Sequence, residues 1–356
     1  MSETNNDCNK SAFQIRVMTY NIQQIYNMGP KTWWDQANRA AHIPDALIDF
    51  FANKAEDDDD DDDCTPDILI LNEAFNSYAA TIASRLHHVF PYQTSVIGKS
   101  TDEKEWKSTT GTFRTSFSVI NGGVMILSRH KIVEQRQHIY HATHSNTWDS
   151  WANKGIAYVK IKLNEKPNQA VHILGTHLQA DEGHVPPSET HKVRMEQLKE
   201  LRYFVAEELK LSKDEIVLIG GDLNVEYTTK SFRNGMESTL NVKVGEMLCQ
   251  ASSSPLGQCG SFSALHNWMT KANARANGQS EERNETLDYI LIPKDFVKPV
   301  TDGQSTKVEV IRLQSKKPLY WSYLAQQWPN EKGFHHDLSD HYPVYGHFTF
   351  PCTAGE

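Results

Sequence analysis

Small polar side chains that could bind a cation or a phosphate follow several short apolar runs in this sequence. The clearest case is residues 220–224 (Gly-Gly-Asp-Leu-Asn), which come directly after the largely apolar, β-branched run 215–219. Side chains alternate along an extended chain, so Asp222 and Asn224 are expected on one face. The glycines would let this strand end approach a ligand or another strand closely. A carboxylate beside an amide suits a phosphate and its attacking water, although a plain polar turn explains this stretch equally well.

The same kinds of side chain recur at the ends of other predicted strands or at loop mouths. A single residue of this kind is usually a cap, but a whole set is hard to assign to capping alone. Glu73 offers a hard oxygen ligand, and oxygen ligation with water in the shell suits Mg²⁺ better than Zn²⁺. A polarising cation with a general acid and a general base is the equipment for hydrolysing a phosphodiester. The set comprises Asn21, Glu73, His177, Asp222, Asn224, Asp340 and His341.

The elements that would position these residues are mainly strands. Alternating or continuous apolar runs predict strands over residues 13–20, 66–71, 121–127, 155–163, 169–175, 215–219, 286–292 and 345–350. Helices are predicted over residues 33–53, 78–89 and 188–210, and Pro44 is expected to shift the start of the first one. Strands that dominate, with a few helices between or outside them, fit two packed sheets with flanking helices.

Composition and charge favour an enzyme that does not bind nucleic acid. The 356 residues are 38% hydrophobic and 23% charged, which suits a soluble globular protein, and no apolar run is long enough to span a membrane. The net charge is −9, but without the seven consecutive acids at residues 57–63 the balance is 36 basic against 38 acidic residues. The body therefore lacks the basic excess that phosphate neutralisation requires. The acidic loop, residues 56–64, is expected to be solvated, with calcium binding as the less favoured alternative.

The N-terminus and the cysteines leave alternatives open. Residues 1–10 are polar and lack the apolar core of a signal peptide, so the protein either stays inside the cell or is given in a processed form. The five cysteines show no metal-binding spacing. Cys249 and Cys259 could close a short loop as a disulfide, and free thiols are an equally good alternative.

Six blocks of the sequence resemble, in order, the endonuclease/exonuclease/phosphatase superfamily, which has the deoxyribonuclease-I-like fold. Four further stretches (residues 72–75, 122–124, 153–155 and 176–180) are similar to the neutral sphingomyelinases, above all the secreted bacterial sphingomyelinase C haemolysins. The six blocks are residues 18–21 (Met-Thr-Tyr-Asn), 70–73 (Ile-Leu-Asn-Glu), 175–179 (Gly-Thr-His-Leu-Gln), 220–224, 287–289 (Leu-Asp-Tyr) and 339–344 (Ser-Asp-His-Tyr-Pro-Val).

The resemblance implies a four-layered α/β sandwich of two packed, mostly antiparallel sheets flanked by helices. One catalytic domain is expected over residues 13–356, after a flexible N-terminus at residues 1–12. The implied reaction is Mg²⁺-dependent cleavage of sphingomyelin to ceramide and phosphocholine, with Mn²⁺ or Co²⁺ as replacements. We expect a secreted monomer that acts on a sphingomyelin-containing membrane surface, with no nucleic acid and no obligate protein partner. A cytoplasmic location and a metal-dependent endonuclease of the same fold are the alternatives.

The resemblance also assigns the residues that would hold the metal and the phosphate. Glu73 would bind the essential metal, with Asn21 beside it near the metal or the phosphate. Asp222 and Asn224 would position the attacking water and the phosphate. Asp288 is expected among the substrate-binding residues.

The two histidines would transfer protons. His341 would be the general base, with its ring oriented by Asp340, while His177 would donate to the phosphoryl oxygen or the leaving group. Whether His341 or Asp222 takes the proton of the water stays open. Lys154 is expected to contact the phosphate. Asp149 and Lys154 also have the five-residue spacing of a conformational switch in the related mammalian enzymes.

An aromatic segment at residues 318–328 is expected to contact the membrane, because amphipathic rings favour the depth of the lipid head groups. The bacterial relatives carry an aromatic hairpin at this place, and a buried strand pair is the alternative. A second stretch, residues 148–151, would assist this contact or line a choline pocket by cation–π interaction. The membrane-contact residues are predicted to be Tyr320, Trp321, Tyr323 and Trp328.

Overall fold

The computed structural model describes residues 12–26, 34–57, 65–116, 119–163, 169–245, 247–249, 260–276, 278–300 and 306–352. The predictions made for residues 1–11, for the acidic loop from residue 58 to residue 64, and for a disulfide to Cys259 fall outside these residues. Within the described ranges, no helix has the length and apolar character that crossing a membrane requires.

Strands outnumber helices along the chain. The helices are α1 (Gln36–Asp57), α2 (Ser77–Arg85), α3 (Pro187–Tyr203), α4 (Lys230–Leu240), α5 (Trp268–Ala276) and α6 (Ser322–Gln327), with a π-helical turn at Phe204–Glu208 and 3-10 turns at Trp148–Trp151 and Pro329–Glu331. The strands are β1 (Ala12–Gln24), β2 (Ile68–Ala74), β3 (Tyr92–Gln93), β4 (Thr109–Gly111), β5 (Met125–Ser128), β6 (Lys131–Ile139), β7 (Gly155–Lys162), β8 (Ala170–His177), β9 (Ile216–Asp222), β10 (Met247–Cys249), β11 (Phe262–Ser263), β12 (Asn284–Glu285), β13 (Asp288–Leu291), β14 (Thr306–Val310), β15 (Gln314–Tyr320), β16 (Phe334–Asp337) and β17 (Val344–Pro351).

These strands form two large sheets. Among the described residues, the first sheet has the order β10-β14-β17-β1-β2-β5-β3, and the second has the order β13-β9-β8-β7-β6-β4. Most neighbours are antiparallel, as predicted. The parallel pairs are β1 with β2 and β8 with β9 at the sheet centres, and β10 with β14 and β4 with β6 at the edges. Parallel neighbours have their carboxyl ends at the same edge of a sheet. This pairing determines where the polar strand ends meet.

The two sheets stack face to face because the central strands are apolar on both sides. In β1, Ile15 and Val17 belong to the core between the sheets, while Met18 and Tyr20 belong to a second core. The period of two along a strand produces this division. The second core lies between the first sheet and the helices α1 and α2.

The outer face of the second sheet is covered by α3 and α4, whose apolar residues join the core of that sheet. Leu198 and Leu201 of α3 and Met236 and Leu240 of α4 are buried there. The layers are therefore helices, sheet, sheet and helices. The predicted four-layered α/β sandwich with mostly antiparallel sheets is confirmed.

The two glycines at the end of β9 allow a close approach between backbones and between sheets. A Cβ atom on Gly220 would lie 2.6 Å from Cδ1 of Ile70 in the opposite sheet. Gly221 has φ +146°, and a Cβ atom there would lie 1.8 Å from the carbonyl oxygen of Thr176. Side chains at these positions would push the carboxyl end of β9 away from its neighbours, so the expected role of the glycines is supported.

Two details of the helices differ from the prediction. Pro44 lies inside α1 and does not delay its start. The burial of Ile43, Leu47 and Phe51 against the first sheet offsets the cost of a proline in a helix interior. The third predicted helix changes from α-helical to π-helical hydrogen bonding at Phe204.

The aromatic segment is more complex than a plain hairpin. The strands β15 and β16 pair, with Tyr320 opposite Phe334. Between them, α6 and the turn Pro329–Glu331 form a helical insertion. The rings of residues 318–328 therefore lie on different kinds of backbone, and they do not share one face.

Candidate active site

Two parallel strand pairs bring the polar strand ends together. In the first sheet Asn21 stands opposite Asn72, and in the second sheet His177 stands opposite Asp222. Asp288, the first residue of β13, pairs with Asp222 from the other side. The layer between the sheets is apolar along the strands, and at these carboxyl ends it becomes polar. This change places the predicted residues in one buried site.

Hydrogen bonds across the two sheets fix this arrangement. Asn21 Nδ2 donates to Asp222 Oδ2 at 3.0 Å. Asn72 Oδ1 accepts from Thr19 Oγ1 at 3.1 Å and from the backbone N–H of Asp222 at 3.2 Å, while Asn72 Nδ2 donates to the carbonyl of Thr176 at 3.0 Å. The block that contains Asn72 is recognisable in the sequence. Its function as a connection between the sheets is visible only in the structure.

His341 is held by a carboxylate from the second sheet. Its Nδ1 lies 2.7 Å from Asp288 Oδ2, and its Nε2 lies 3.7 Å from Asp222 Oδ2. Burial opposes the charged ring, but the carboxylates of Asp288 and Asp222 outweigh it and raise the pKa of His341 well above its usual value. Ser261 Oγ also donates to Asp288 Oδ2 at 2.7 Å, which fixes the orienting carboxylate.

The prediction that Asp340 orients the His341 ring is wrong. Asp288 occupies the position beside the ring Nδ1, and the carboxylate of Asp340 accepts from Asn273 Nδ2 at 3.1 Å instead. Thr270 donates its hydroxyl to the backbone carbonyl of Asp340. Asp340 is therefore held by α5, and it acts on His341 through its charge and not through a hydrogen bond to the ring. Its charge also acts on Glu73.

Several buried carboxylates meet at this site, and their mutual repulsion favours a bound cation. Burial, and then repulsion by Asp340, raise the pKa of Glu73 to about 7. Burial, and then repulsion by Asp288, raise the pKa of Asp222 to about 6. One oxygen of Asp288 is buried without a hydrogen-bond partner. A divalent cation would relieve this uncompensated charge.

The donor atoms fit a hard divalent cation. One ligand atom from each of Glu73, His177 and Asp222 lies within 4.8 Å of the others, and the same holds for Asp222, Asp288 and His341. The two groups share Asp222. Carboxylate and amide oxygens predominate, which suits Mg²⁺ or a similar ion. The residues present at this site therefore fit the expected metal.

Lys154 lies beside His177 in the site. Its Nζ donates to Asp149 Oδ2 at 2.8 Å and to the carbonyl of Leu178 at 2.9 Å, and it lies 3.3 Å from His177 Nε2. An ammonium has only donors, so Nε2 is the acceptor and the imidazole is neutral. Burial, followed by the charges of Lys154 and His341, holds the pKa of His177 well below its usual value. The arrangement favours Lys154, rather than His177, as the charged donor.

The sequence of this chain is similar to those of known enzymes over most of its length. Residues 18–341 match the Endonuclease/Exonuclease/phosphatase family. The chain belongs to this family. It is 35% identical to a sphingomyelinase C of Listeria ivanovii over 88% of this chain and 80% of that protein. It is 32% identical to a sphingomyelinase C of Bacillus cereus over 96% of this chain and 90% of that protein.

A solved structure supports the same relationship. A double mutant of beta toxin from Staphylococcus aureus, with bound magnesium ions, superposes with a TM-score of 0.73 at 28% identity, covering 94% of this chain and all of that one. The predicted family and enzyme class are confirmed: the chain is a phosphoric diester hydrolase of the endonuclease/exonuclease/phosphatase family.

This member of the family uses unusual backbone conformations at three strand ends of the site. Gln23, Glu73 and Asn224 have φ values of 47°, 54° and 51°. Residues other than glycine rarely adopt this left-handed region, and such conformations concentrate at functional sites. They direct the Glu73 carboxylate and the Asn224 amide out of the regular alternation of their strands. Nothing in the residue types predicts this at Gln23 or Glu73.

A buried arginine was missed by the sequence analysis. Arg39 of α1 donates Nη1 to the carbonyls of Ile22 at 3.1 Å and Leu338 at 2.8 Å, and Nη2 to the carbonyl of Gln23 at 2.8 Å. It joins the strand end that carries Asn21 to the loop that precedes His341. A lone arginine in a helical pattern is usually exposed, so the sequence has no signal for this role.

Asp149 and Lys154, the two residues with the spacing of the switch, are in contact, and this ion pair connects the site to a short surface turn. Asp149 Oδ2 also accepts from the backbone N–H of Ala180 at 2.7 Å and from Gln179 Nε2 at 3.1 Å. Asn224 Nδ2 donates to the carbonyl of Leu178 at 3.3 Å, next to the Lys154 ammonium. A switching movement of Asp149 and Lys154 stays a prediction.

The prediction that Trp321 contacts a membrane is wrong. Trp321 is only 1% exposed and packs with Leu324, Met269 and other residues in a small separate core. Its ring centroid lies 6.0 Å from that of Trp34 and 5.3 Å from that of Tyr323. The alternative of buried aromatic residues applies to this part of the segment.

The other aromatic residues of the segment differ in exposure. Trp328 is half-buried, with the Arg275 guanidinium 3.8 Å from its ring centroid and the Trp268 ring at 5.7 Å. Tyr320 is 52% exposed and lies beside the exposed ring of Phe334. Tyr320 therefore keeps its predicted accessibility.

Proposed function

We propose that this chain hydrolyses sphingomyelin to ceramide and phosphocholine at a membrane surface, in a reaction that depends on Mg²⁺. The observation that carries this proposal is the buried site in which Glu73 and Asp222 lie near an imidazole–carboxylate pair, His341 and Asp288. The similarity to proteins named sphingomyelinase C supports the choice of substrate. A metal-dependent endonuclease of the same fold is the alternative that the experiment below distinguishes.

The cation would be held by Glu73, with the Asn21 amide and the Asp222 carboxylate beside it. When bound, it supplies Lewis-acid polarisation of the phosphoryl oxygen and neutralises developing charge. We assign Mg²⁺ because of the oxygen-rich donor set and the magnesium-bound relative, with Mn²⁺ or Co²⁺ as replacements.

The imidazole of His341 is placed to transfer the proton of the attacking water. Asp288 holds Nδ1, so Nε2 faces Asp222 Oδ2 at 3.7 Å, and an attacking water would lie beside both groups. A cation held by Glu73 and Asp222 would offset the carboxylate charge that raises the pKa of His341, which would leave the ring neutral and able to accept this proton. The water oxygen forms a bond to phosphorus as its proton passes to this base, and the bond from phosphorus to the ceramide oxygen breaks. The ceramide oxygen takes up a proton from solvent water, and His341 returns its proton to the solvent, which regenerates the base. Asp222 orients the water from the opposite side.

Lys154 and Asn224 would bind the oxygens of the phosphoryl group, with a phosphoryl oxygen replacing His177 Nε2 as one of the three acceptors of the Lys154 ammonium. The Lys154 ammonium is buried, lies 3.3 Å from His177 Nε2 and is held by Asp149. A fixed cation in a site that excludes water stabilises charge developing on the phosphoryl oxygens. His177 supports this position as a neutral acceptor. Asp340 acts on the metal side, through Glu73.

The expected partner is the membrane surface itself, with no nucleic acid and no obligate protein partner. We also propose that the protein acts as a monomer. Secretion remains an expectation from the family resemblance.

The decisive experiment measures phosphocholine release from liposomes of sphingomyelin and phosphatidylcholine, with Mg²⁺ and with EDTA. Release with Mg²⁺ and none with EDTA is the expected result. Glu73→Gln should abolish the Mg²⁺-dependent release. The matched control is Glu285→Gln, which removes a carboxylate on β12, a strand of the small two-stranded sheet.

Plasmid DNA incubated under the same conditions provides the competing outcome. Nicking of the plasmid without phosphocholine release would assign the chain to the nucleases of this fold. If the chain binds Mg²⁺ but neither releases phosphocholine nor nicks the plasmid, both candidate functions are contradicted.

A further inference from the structure

Two exposed tryptophans stand three residues apart in sequence on the 3-10 turn Trp148–Trp151, which we call the tryptophan turn. Trp148 is 63% exposed and Trp151 is 51% exposed. The other tryptophans that the structure describes are buried or half-buried. Large indole rings are costly to leave in water unless they have a partner surface.

The tryptophan turn lies two contacts from the catalytic site. Asp149, between the two tryptophans, accepts from Lys154 Nζ at 2.8 Å, and Lys154 Nζ lies 3.3 Å from His177 Nε2. The turn is held firmly, because the backbone N–H of Trp148 donates to Glu182 Oε1 at 2.6 Å and the backbone N–H of Ala180 donates to Asp149. A surface that touches both indoles would therefore meet the mouth of the active site.

The charges around the turn indicate what kind of surface fits. Residues 141–153 and 178–190, which hold the turn in place, contain no lysine and no arginine, and their acids are Asp149, Asp181, Glu182 and Glu189. Cations from outside these stretches offset the acids: Lys154 pairs with Asp149 and Arg194 pairs with Asp181, both at 2.8 Å. Arg114, which donates to the carbonyl of Ala152, is a third, so the surroundings of the turn are close to neutral and have no basic excess. Such surroundings disfavour an anionic membrane or a nucleic acid. They suit a zwitterionic lipid whose outermost group is a trimethylammonium, which indole faces also attract.

We propose that Trp148 and Trp151 enter the head-group layer of a choline-lipid bilayer and hold the active site against it. Indoles favour this depth because one edge is polar and the ring is apolar. The inference rests on the proposed function, since only a substrate embedded in a bilayer requires such contact. It assigns the membrane contact to a turn beside Lys154, whereas Trp321 of the aromatic segment is buried.

The test is sedimentation with vesicles of phosphatidylcholine alone, in EDTA, so that binding is measured without substrate and without turnover. The wild-type chain should sediment with the vesicles, and W148A/W151A should partition about tenfold less or weaker still, because two rings lose apolar contact with lipid. Tyr203→Ala is the matched control: Tyr203 is 59% exposed and ends α3, about 20 Å along the helix from Glu189. It should sediment like the wild type.

Brominated phosphatidylcholine gives a second readout that does not depend on alanine variants folding. It should quench part of the wild-type tryptophan fluorescence, and W148F/W151F should lose that quenched fraction. The proposal is overturned if the wild type does not bind these vesicles, if the alanine variant binds as tightly as the wild type, or if binding requires anionic lipid. Because sphingomyelin is absent, a failure of the sphingomyelinase assay is distinguishable from a failure of this test.

Discussion

The active site and the aromatic segment are both marked in the sequence by unusual residue types, but only the active site brings most of its predicted residues together. Strand pairing fixes the site, because Asn21 and His177 stand opposite Asn72 and Asp222 at the ends of parallel neighbours. In the aromatic segment, exposure depends on which distant elements cover each ring. Trp321 is 1% exposed although its neighbour Tyr320 is 52% exposed.

The two regions are connected through α5. Trp268, at its start, packs against Trp328, and further along the helix Thr270 and Asn273 bond to Asp340. The small aromatic core therefore supports the helix that positions a carboxylate beside the metal site. Tryptophans such as Trp321 and Trp328 suggest membrane contact, but in this segment they pack inside the protein and support the site. Their packing partners are distant in sequence, so the local sequence does not indicate this role.

Removal of the catalytic imidazole is expected to have the largest effect in the active site. His341→Ala should lower kcat by about 10²–10⁴-fold, the usual contribution of a general acid or base. Mg²⁺ should still bind, because Glu73 and Asp222 keep their carboxylates. Phosphocholine release and calorimetric Mg²⁺ titration measure the two effects separately.

Glu73→Ala is the companion variant, and it should lose Mg²⁺-dependent turnover together with Mg²⁺ affinity. The comparison separates the metal-binding half of the site from the proton-transfer half. Full activity in His341→Ala would rule out proton transfer by this ring.

In the aromatic segment, the largest effect should be on stability. Trp321→Ala removes a buried ring and should lower the free energy of unfolding by about 3–5 kcal/mol. Tyr320→Ala, one residue earlier, should cost about 1 kcal/mol or less, because mainly the contact with Phe334 is lost. Urea unfolding of both variants measures the difference.

The same pair also tests the assignment of membrane contact. We expect Trp321→Ala to lower activity on bilayers and on a soluble choline phosphodiester by similar factors, because the whole α5 support is weakened. A loss confined to bilayers, at unchanged stability, would show that Trp321 reaches the lipid after all.

The sequence predicts most of the fold and the membership of the site, for a physical reason. Alternation along strands and glycines at a strand end are local properties, so β1, β8 and the end of β9 are recognisable from their residues. The orientation of individual side chains is not local. Asp288 contacts His341, which is 53 residues away in sequence, and Arg39 contacts Leu338, which is 299 residues away. No nearby sequence pattern indicates these contacts.

The sequence predicts that Asp340 orients the His341 ring, whereas the structure shows Asp288 in that position. A pair of variants distinguishes the two carboxylates. Asp288→Asn should lower kcat by about tenfold to hundredfold and shift its pH dependence, because the His341 ring loses the carboxylate that orients it. Asp340→Asn should chiefly change the Mg²⁺ concentration required, through Glu73. Steady-state kinetics over pH and Mg²⁺ concentration measure both effects. If the two results were exchanged, the original assignment of Asp340 would be restored.

The smallest effect concerns pH and the cation. Burial, and then repulsion by Asp340, raise the pKa of Glu73 to about 7, so a proton must leave before a cation binds at lower pH. The apparent Mg²⁺ affinity should therefore fall as the pH drops below 7, by up to about tenfold per pH unit for one proton. Asp222, with a pKa raised to about 6 by burial and by Asp288, should steepen this fall at still lower pH.

Calorimetry in buffers of different ionisation enthalpy measures both the affinity and the protons released by Mg²⁺ binding. Glu73→Gln has no carboxyl group to titrate, so its weaker binding should lose the pH dependence near neutrality. An affinity that stays level between about pH 6 and about pH 8 in the wild type would mean that the carboxylates are already ionised without the cation. In that case the site would be prepared for the metal by its hydrogen bonds, such as that from Asn21 to Asp222, and not by the repulsion among its acids.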